Sequence, residues 1–192
     1  MSQRRERGGL RRAVSLLLAV VMLVTLAQSA IVSAASYVEP YLNKVVEWGV
    51  MRGDIDGNLN PDNPISRAEF VTMINRAYGF TQMGTMPFKD VSEKDWYAED
   101  VNIAYHTGYI QGTSSTTFSP NDSITREQAT VILARILMMQ AQVGENVDFT
   151  DSRDMNDWSR GLIATAADNG LIDGYSDGSS RPQNPITRGE AS

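Results

Sequence analysis

The strongest constraint on this chain is a set of intervals that occurs three times without an insertion. Trp96 is followed 12 residues later by Gly108 and 18 residues after that by Arg126. Trp158, Gly170 and Arg188 keep the same two intervals, and so do Tyr37, Gly49 and Arg67, with Tyr in place of Trp. Between glycine and arginine the match continues, because Gly53, Gly112 and Gly174 each precede a proline by eight residues (Pro61, Pro120, Pro182). Internal repetition of this kind sets the architecture, since one such unit cannot bury an apolar face alone and must stack on its neighbours.

Each unit reads as helix, loop, helix, so the expected fold is all-α. First helices are predicted over roughly 37–48, 96–107 and 158–169, with Ser36, Asp95 and Asp157 as N-caps. Leu42, Val45 and Val46, then Val101, Ala104 and Tyr105, then Ile163, Ala166 and Ala167 make their apolar stripes. Gly49, Gly108 and Gly170 stand where a left-handed residue ends a helix, followed by the apolar Val50, Tyr109 and Leu171. Second helices begin at three capping boxes, Ser66-Arg67-Ala68-Glu69, Thr125-Arg126-Glu127-Gln128 and Thr187-Arg188-Gly189-Glu190. In each, a hydroxyl caps and a Glu or Gln three residues on reaches back. The units are placed at 36–80, 86–140 and 147–192. The second and third open with Phe88-Lys89-Asp90 and Phe149-Thr150-Asp151, a block that the first lacks. The sequence stops at Ser192, one turn into the last helix, so the third unit is expected to be incomplete.

Residues 1–35 read as an export signal. Arg4, Arg5, Arg7, Arg11 and Arg12 precede an apolar run from Ala13 to Ala27, and Ser33-Ala34-Ala35 supplies small residues for cleavage. That run is short for a membrane span of about 20 residues, so no stable span is expected after cleavage, the alternative being an uncleaved anchor that runs on to Ala35. Its removal takes away five Arg and one Glu, a net +4, and shifts the formal charge from −6 to −10. Such an acidic body excludes nucleic acid as a partner. An anion must instead be caught by a few positioned groups. With no cysteine, the exported chain is held by its core without disulfides.

Propensity does not explain Arg67, Arg126 and Arg188. A cation in the first turn faces the positive end of the helix dipole, so three of them in register are either solvated or paired cap residues, or a place for an arriving carboxylate or phosphate. Trp96 and Trp158 can stack on sugar rings or anchor one unit to the next. The loop Asp54 to Asp62 alternates acids and amides but has glycine at position 4 and Ile65 at position 12, unlike a calcium loop, and reads as a polar turn. His106 is the single histidine. No catalytic constellation, metal site or cofactor site emerges, and Met138 and Met139 read as core.

With three units and an export signal, the sequence resembles the S-layer homology family of bacterial wall-anchoring modules. The residues that carry the resemblance are Phe88-Lys89-Asp90, Trp96, Gly108 to Gly112, Phe118-Ser119-Pro120 and Ile124 to Gln128. In the third unit they are Phe149-Thr150-Asp151, Trp158, Gly170 to Gly174, Arg181-Pro182 and Ile186 to Glu190. The resemblance implies three units about a pseudo-threefold axis with grooves between them. It also implies noncovalent binding of secondary cell-wall polysaccharide, often through a pyruvate-ketal carboxylate, and no enzymatic activity. The family's motif arginine falls on Arg67, Arg126 and Arg188. Ser66, Thr125, Trp96, Trp158, Asp90 and Asp151 join these as candidate polysaccharide-binding residues. Gln128 in place of Glu, and Gly189 in place of Ala, depart from the family motif. Two other roles remain open: part of a structural S-layer subunit with S-layer neighbours, or the anchor of a surface hydrolase.

Overall fold

A computed structural model describes residues 34–142 and 147–192. The leader expected over residues 1–35 therefore lies, up to residue 33, outside the described residues. The chain divides into a segment ending at Pro40 and a compact body, Tyr41–Ser192, which carries the repeats. No helix among the described residues is long and apolar enough to cross a membrane.

The described residues are all-α. The helices are α1 (Ala34–Glu47), α2 (Arg67–Tyr78), α3 (Ala98–Thr107), α4 (Arg126–Ile136) and α5 (Asp157–Asp168), with one 3₁₀ turn at Ser152–Asp154. Residues 188–191 form turns and not a helix. Two of the boxes start α2 and α4: the Ser66 and Thr125 hydroxyls accept the amides of Glu69 and Gln128 at 3.2 Å. The first box closes in both directions, with Ser66 N–H to Glu69 Oε2, and so does the third, Glu190 N–H to Thr187 Oγ1 and Thr187 N–H to Glu190 Oε2. The second, expected to close through Gln128, has only the Thr125 cap, because Gln128 Oε1 accepts from Arg67. Gly108 and Gly170 end α3 and α5 at φ 85° and 67°. After α5 the Gly170 and Leu171 amides return to Ala167 and Ala166 carbonyls, the double closure that a left-handed glycine permits.

The expected N-caps of the first helices do not hold. Ser36 lies inside α1. Asp95 closes the preceding turn on the Ser92 amide, and Tyr97 caps α3 without a side-chain bond. Asn156 precedes α5 in place of Asp157; its side chain is drawn away to Glu127. Met138 also departs from expectation. The α4 helix ends at Ile136 before the methionine pair, leaving Met138 81% exposed at φ 57°.

The three units meet in a ring of backbone hydrogen bonds. Ile124 N–H donates to the Ile65 carbonyl, Ile186 N–H to that of Ile124, and Ile65 N–H to that of Ile186, at 3.0, 3.1 and 3.1 Å. Ile65 and Ile124 are fully buried, and Ile186 nearly so. This closed triangle, with three isolated antiparallel bridges around it, marks the pseudo-threefold axis. Around it the second helix of each of the first two units packs on the first helix of the next, α2 on α3 and α4 on α5. The main core joins units one and two and includes Ile186, while Val147, Met155, Ile163 and Ala164 form a separate small cluster in unit three.

Candidate functional site between the repeats

The helix N-termini of the ring are not open to a ligand. The Arg67 and Ala68 amides donate to the Asp122 and Pro120 carbonyls of unit two. Those of Arg126 and Glu127 donate to Asn184 and Pro182 of unit three, and those of Arg188 and Gly189 to Asn63 and Pro61 of unit one. The first two orphan donors of each segment are thus satisfied by the proline loop of the next unit, and the third by the cap hydroxyl. An anion site built on these amides, which the motif suggested, is therefore excluded.

The arginine side chains follow the same cyclic rule. Arg67 is 4% exposed; its Nε donates to the Phe118 carbonyl, Nη1 to Gln128 Oε1 and Nη2 to the Gln111 carbonyl. Its guanidinium also stands 4.8 Å from the centre of the Phe118 ring, within cation–π range. Burial pushes the Arg67 pKa down, and the charges of Asp122 and Asp90 act against that shift. Arg188 repeats the pattern on unit one, from Nε to the Leu59 carbonyl, from Nη1 to Glu69 Oε1 at 2.7 Å and from Nη2 to the Arg52 carbonyl. Arg126 does so only in part. Its Nη2 reaches the Asp173 carbonyl, Glu190 lies 3.8 Å from Nη1, and its buried Nε has no partner among the described residues.

Asp90 and Asp151 tie the proline loops. Asp90 accepts the amides of Phe118 and Ser119, and Asp151 those of Ser180 and Arg181. Ser119 and Arg181 are left-handed at φ 58° and 51°, a conformation that non-glycine residues adopt only when held. Burial raises the Asp90 pKa, but the two amides and Arg67 outweigh it and leave it below its ordinary value. Unit one, lacking the Phe-x-Asp block, holds its left-handed Asn60 through its own side chain, which donates to Asp54. Asp54 also accepts the amides of Asp56 and Asn58, so the acidic loop closes on itself as a polar turn.

Two grooves open beside these joints, and each draws on all three units. Groove one, with a volume of about 360 Å³, has Arg67 from unit one on one side, Gln111, Gln128 and Arg135 from unit two, and Trp158 from unit three. Groove two, about 230 Å³, has Arg188 from unit three, Arg52, Glu69 and Arg76 from unit one, and Trp96 from unit two. Trp158 and Trp96 are 55% and 64% exposed, so they are groove walls and not buried anchors between units. The structure thus brings Arg67 together with Trp158, and Arg188 with Trp96, pairings across units that spacing within a unit cannot show. Ser66 and Thr125 are caps, and Arg126, Asp90 and Asp151 stand at the joints, outside the lining of the two grooves.

Sequence reasoning missed three lining residues and one joint residue. Arg76 and Arg135 each follow a motif arginine by nine residues, an in-register repeat visible in the sequence. Gln111 gave no signal. Glu127 occupies a motif position held elsewhere by Ala68 and Gly189, and the mismatch was its only mark. It is 2% exposed and accepts from the Asn156 amide and side chain, the Ser159 hydroxyl and the Gln183 amide group, all in unit three.

Three units closed about one axis, with aromatic and guanidinium groups lining the grooves between them, define a module of cyclically packed repeats. The profile of the S-layer homology domain matches residues 31–71, 87–130 and 148–192, and the chain belongs to that family. Similar proteins include the Surface-layer 125 kDa protein of Lysinibacillus sphaericus, 33% identical over 157 residues, which are 80% of this chain and 13% of that protein. The Amylopullulanase of Thermoanaerobacterium thermosulfurigenes is 35% identical over 147 residues, 74% of this chain and 8% of that enzyme. The Exoglucanase XynX of Acetivibrio thermocellus is 34% identical over 147 residues, 74% of this chain and 13% of that enzyme. The chain thus spans only a small fraction of these relatives. Their shared segment is the repeat module, whose family and relatives locate this chain at the cell surface as an anchoring module.

Proposed function

We propose that the module anchors a bacterial surface protein by binding anionic secondary cell-wall polysaccharide, bearing pyruvate ketals, in the two inter-unit grooves. The observation that carries this reading is the pairing, twice over, of an exposed tryptophan with guanidinium groups in one groove. An indole face offers a platform for the apolar face of a sugar ring. A guanidinium offers a planar fork for a carboxylate, which Lys would not reproduce. Arg67 and Arg188 each commit three of five N–H groups to neighbouring units and form the inner wall. Arg126, Ser66, Thr125, Asp90 and Asp151 support the groove walls. The module binds without catalysis, and two weak grooves on one polymer act by avidity.

The test is co-sedimentation of the protein with purified cell walls, native against walls freed of pyruvate ketals by mild acid. Retention on native walls alone is the expected result. Equal retention on both would remove the carboxylate from the reading. The relatives include both a surface-layer protein and polysaccharide-degrading enzymes, and the anchoring reading serves an S-layer subunit and a surface hydrolase alike.

A further inference from the structure

Arg67 and Arg188 are occupied, yet groove one also holds Arg135, and groove two also holds Arg52 and Arg76. Arg135 projects from α4 into groove one, beside Val131 and Ile132 and across from Trp158. It is half-buried, and no hydrogen bond or ion pair engages it among the described residues. A long cation on a helix end normally keeps its head in water. A partly desolvated guanidinium with no partner carries a cost that a ligand anion can remove. Burial alone moves its pKa, and downward.

Groove two repeats the arrangement one unit earlier. Arg76 stands at the same place on α2, beside Thr72 and Met73 and across from Trp96. Its one hydrogen bond, to the Val50 carbonyl, is at the 3.5 Å limit. Burial lowers its pKa and so does the nearby charge of Arg52, with only Asp100 acting the other way. Asp100 is itself engaged by Thr72 and Asn75. Arg76 is exposed where Arg135 is half-buried, and in each groove the arginine shares the lining with a tryptophan and has no ion pair among the described residues.

We propose that Arg135 in groove one and Arg76 in groove two take the carboxylate of the ligand, and that Arg67 and Arg188 serve to hold the units together. This rests on the reading of the grooves as the wall-polymer site, and it assigns specificity for the anion to the second helix and not to the capping motif. The tryptophan then orients the sugar so that its carboxylate meets the guanidinium fork.

The experiment compares wild type with Arg76→Gln/Arg135→Gln, Arg76→Lys/Arg135→Lys and Arg67→Ala. Each is measured for affinity to purified wall polysaccharide, native and ketal-free, and for thermal midpoint. The Gln double variant is expected to keep its midpoint within about 2 °C and to lose at least tenfold in affinity for native polymer. Its affinity should fall to the value for ketal-free polymer, where wild type and variant should agree. The Lys pair should recover part of the loss. Arg67→Ala should lower the midpoint, and where still folded at low temperature it should keep its preference for native polymer. A Gln double variant that discriminates native from ketal-free polymer as wild type does would overturn the assignment while leaving the grooves as the site. Wild type that binds neither polymer would overturn both.

Discussion

The joint between units one and two and the joint between units two and three start from the same motif and reach different solutions. At the first, Arg67 is buried, bonded by three nitrogens and stacked on Phe118. At the second, Arg126 makes one hydrogen bond, leaves Nε without a partner and rests 5.0 Å from the centre of the Tyr175 ring. Tyr175 takes the place held by Thr113 and Asp54 in the other loops, and it also carries Arg181 on its ring and donates to Glu190. What holds the second joint is one residue further on. Glu127, where unit one has Ala68, sends a buried carboxylate into unit three and receives four hydrogen bonds there. A pseudo-symmetric ring therefore needs each joint closed but does not need the same side chain to close it.

The largest effect expected from breaking this contrast is at Arg67. Arg67→Ala leaves the buried Phe118 carbonyl without its donor and removes a packed cation from the first joint. The expected cost is about 3 kcal/mol, or roughly 6–12 °C in thermal midpoint for a chain of this size. Scanning calorimetry checks it, and a loss under 1 kcal/mol would mean that the first joint does not depend on its arginine. Glu127→Ala comes next, at about 2 kcal/mol, because four donors of unit three lose a charged acceptor but three of them lie near enough to solvent to find water. Hydrogen exchange should show that loss concentrated in α5 and the loop after it, with the Ile ring still protected.

The Asp90 tie is worth less and depends on pH. Asp90→Ala frees the left-handed Ser119 turn at an expected cost of about 1 kcal/mol at neutral pH. Since the folded carboxyl titrates below its ordinary value of 3.8, its contribution is present above that value and is lost as pH falls through the lower folded one. Wild type and variant should therefore converge in stability as pH falls below the ordinary carboxylate value. A gap that stays constant through that fall would show that packing and not the carboxylate holds the turn.

Much of this was legible because it is local. The hydroxyl caps Ser66, Thr125 and Thr187, the left-handed Gly108 and Gly170 and the division into helix, loop and helix depend on residues within one turn of each other. Repetition then told that the units must stack. What could not be read was anything decided between units. The first-turn amides of each second helix look free in sequence, yet Pro120, Pro182 and Pro61 of the next loops receive them. Trp158 belongs by sequence to unit three and by geometry to the groove of Arg67, because the ring turns each first helix onto the second helix of the unit before. Met138 looked like core from composition and is exposed because α4 stops at Ile136, a tertiary boundary with no glycine to announce it.

The smallest expected effect sharpens the comparison most. If Glu127 and not Arg126 closes the second joint, Arg126→Ala should cost about half a kcal/mol, a sixth of the loss at Arg67, although the two arginines are equivalent by motif. The removed side chain gives up one hydrogen bond to the Asp173 carbonyl, a long ion pair with Glu190 and a ring contact, and it also removes an unsatisfied buried N–H, which offsets part of the loss. In the Glu127→Ala background the same substitution should cost more, because the remaining contacts then carry the joint alone. A double-mutant cycle on thermal stability reads this coupling directly. Strict additivity would mean that Arg126 and Glu127 act on separate parts of unit three. A single-variant loss as large as that of Arg67 would mean that the arginine closes all three joints alike, whatever its partners.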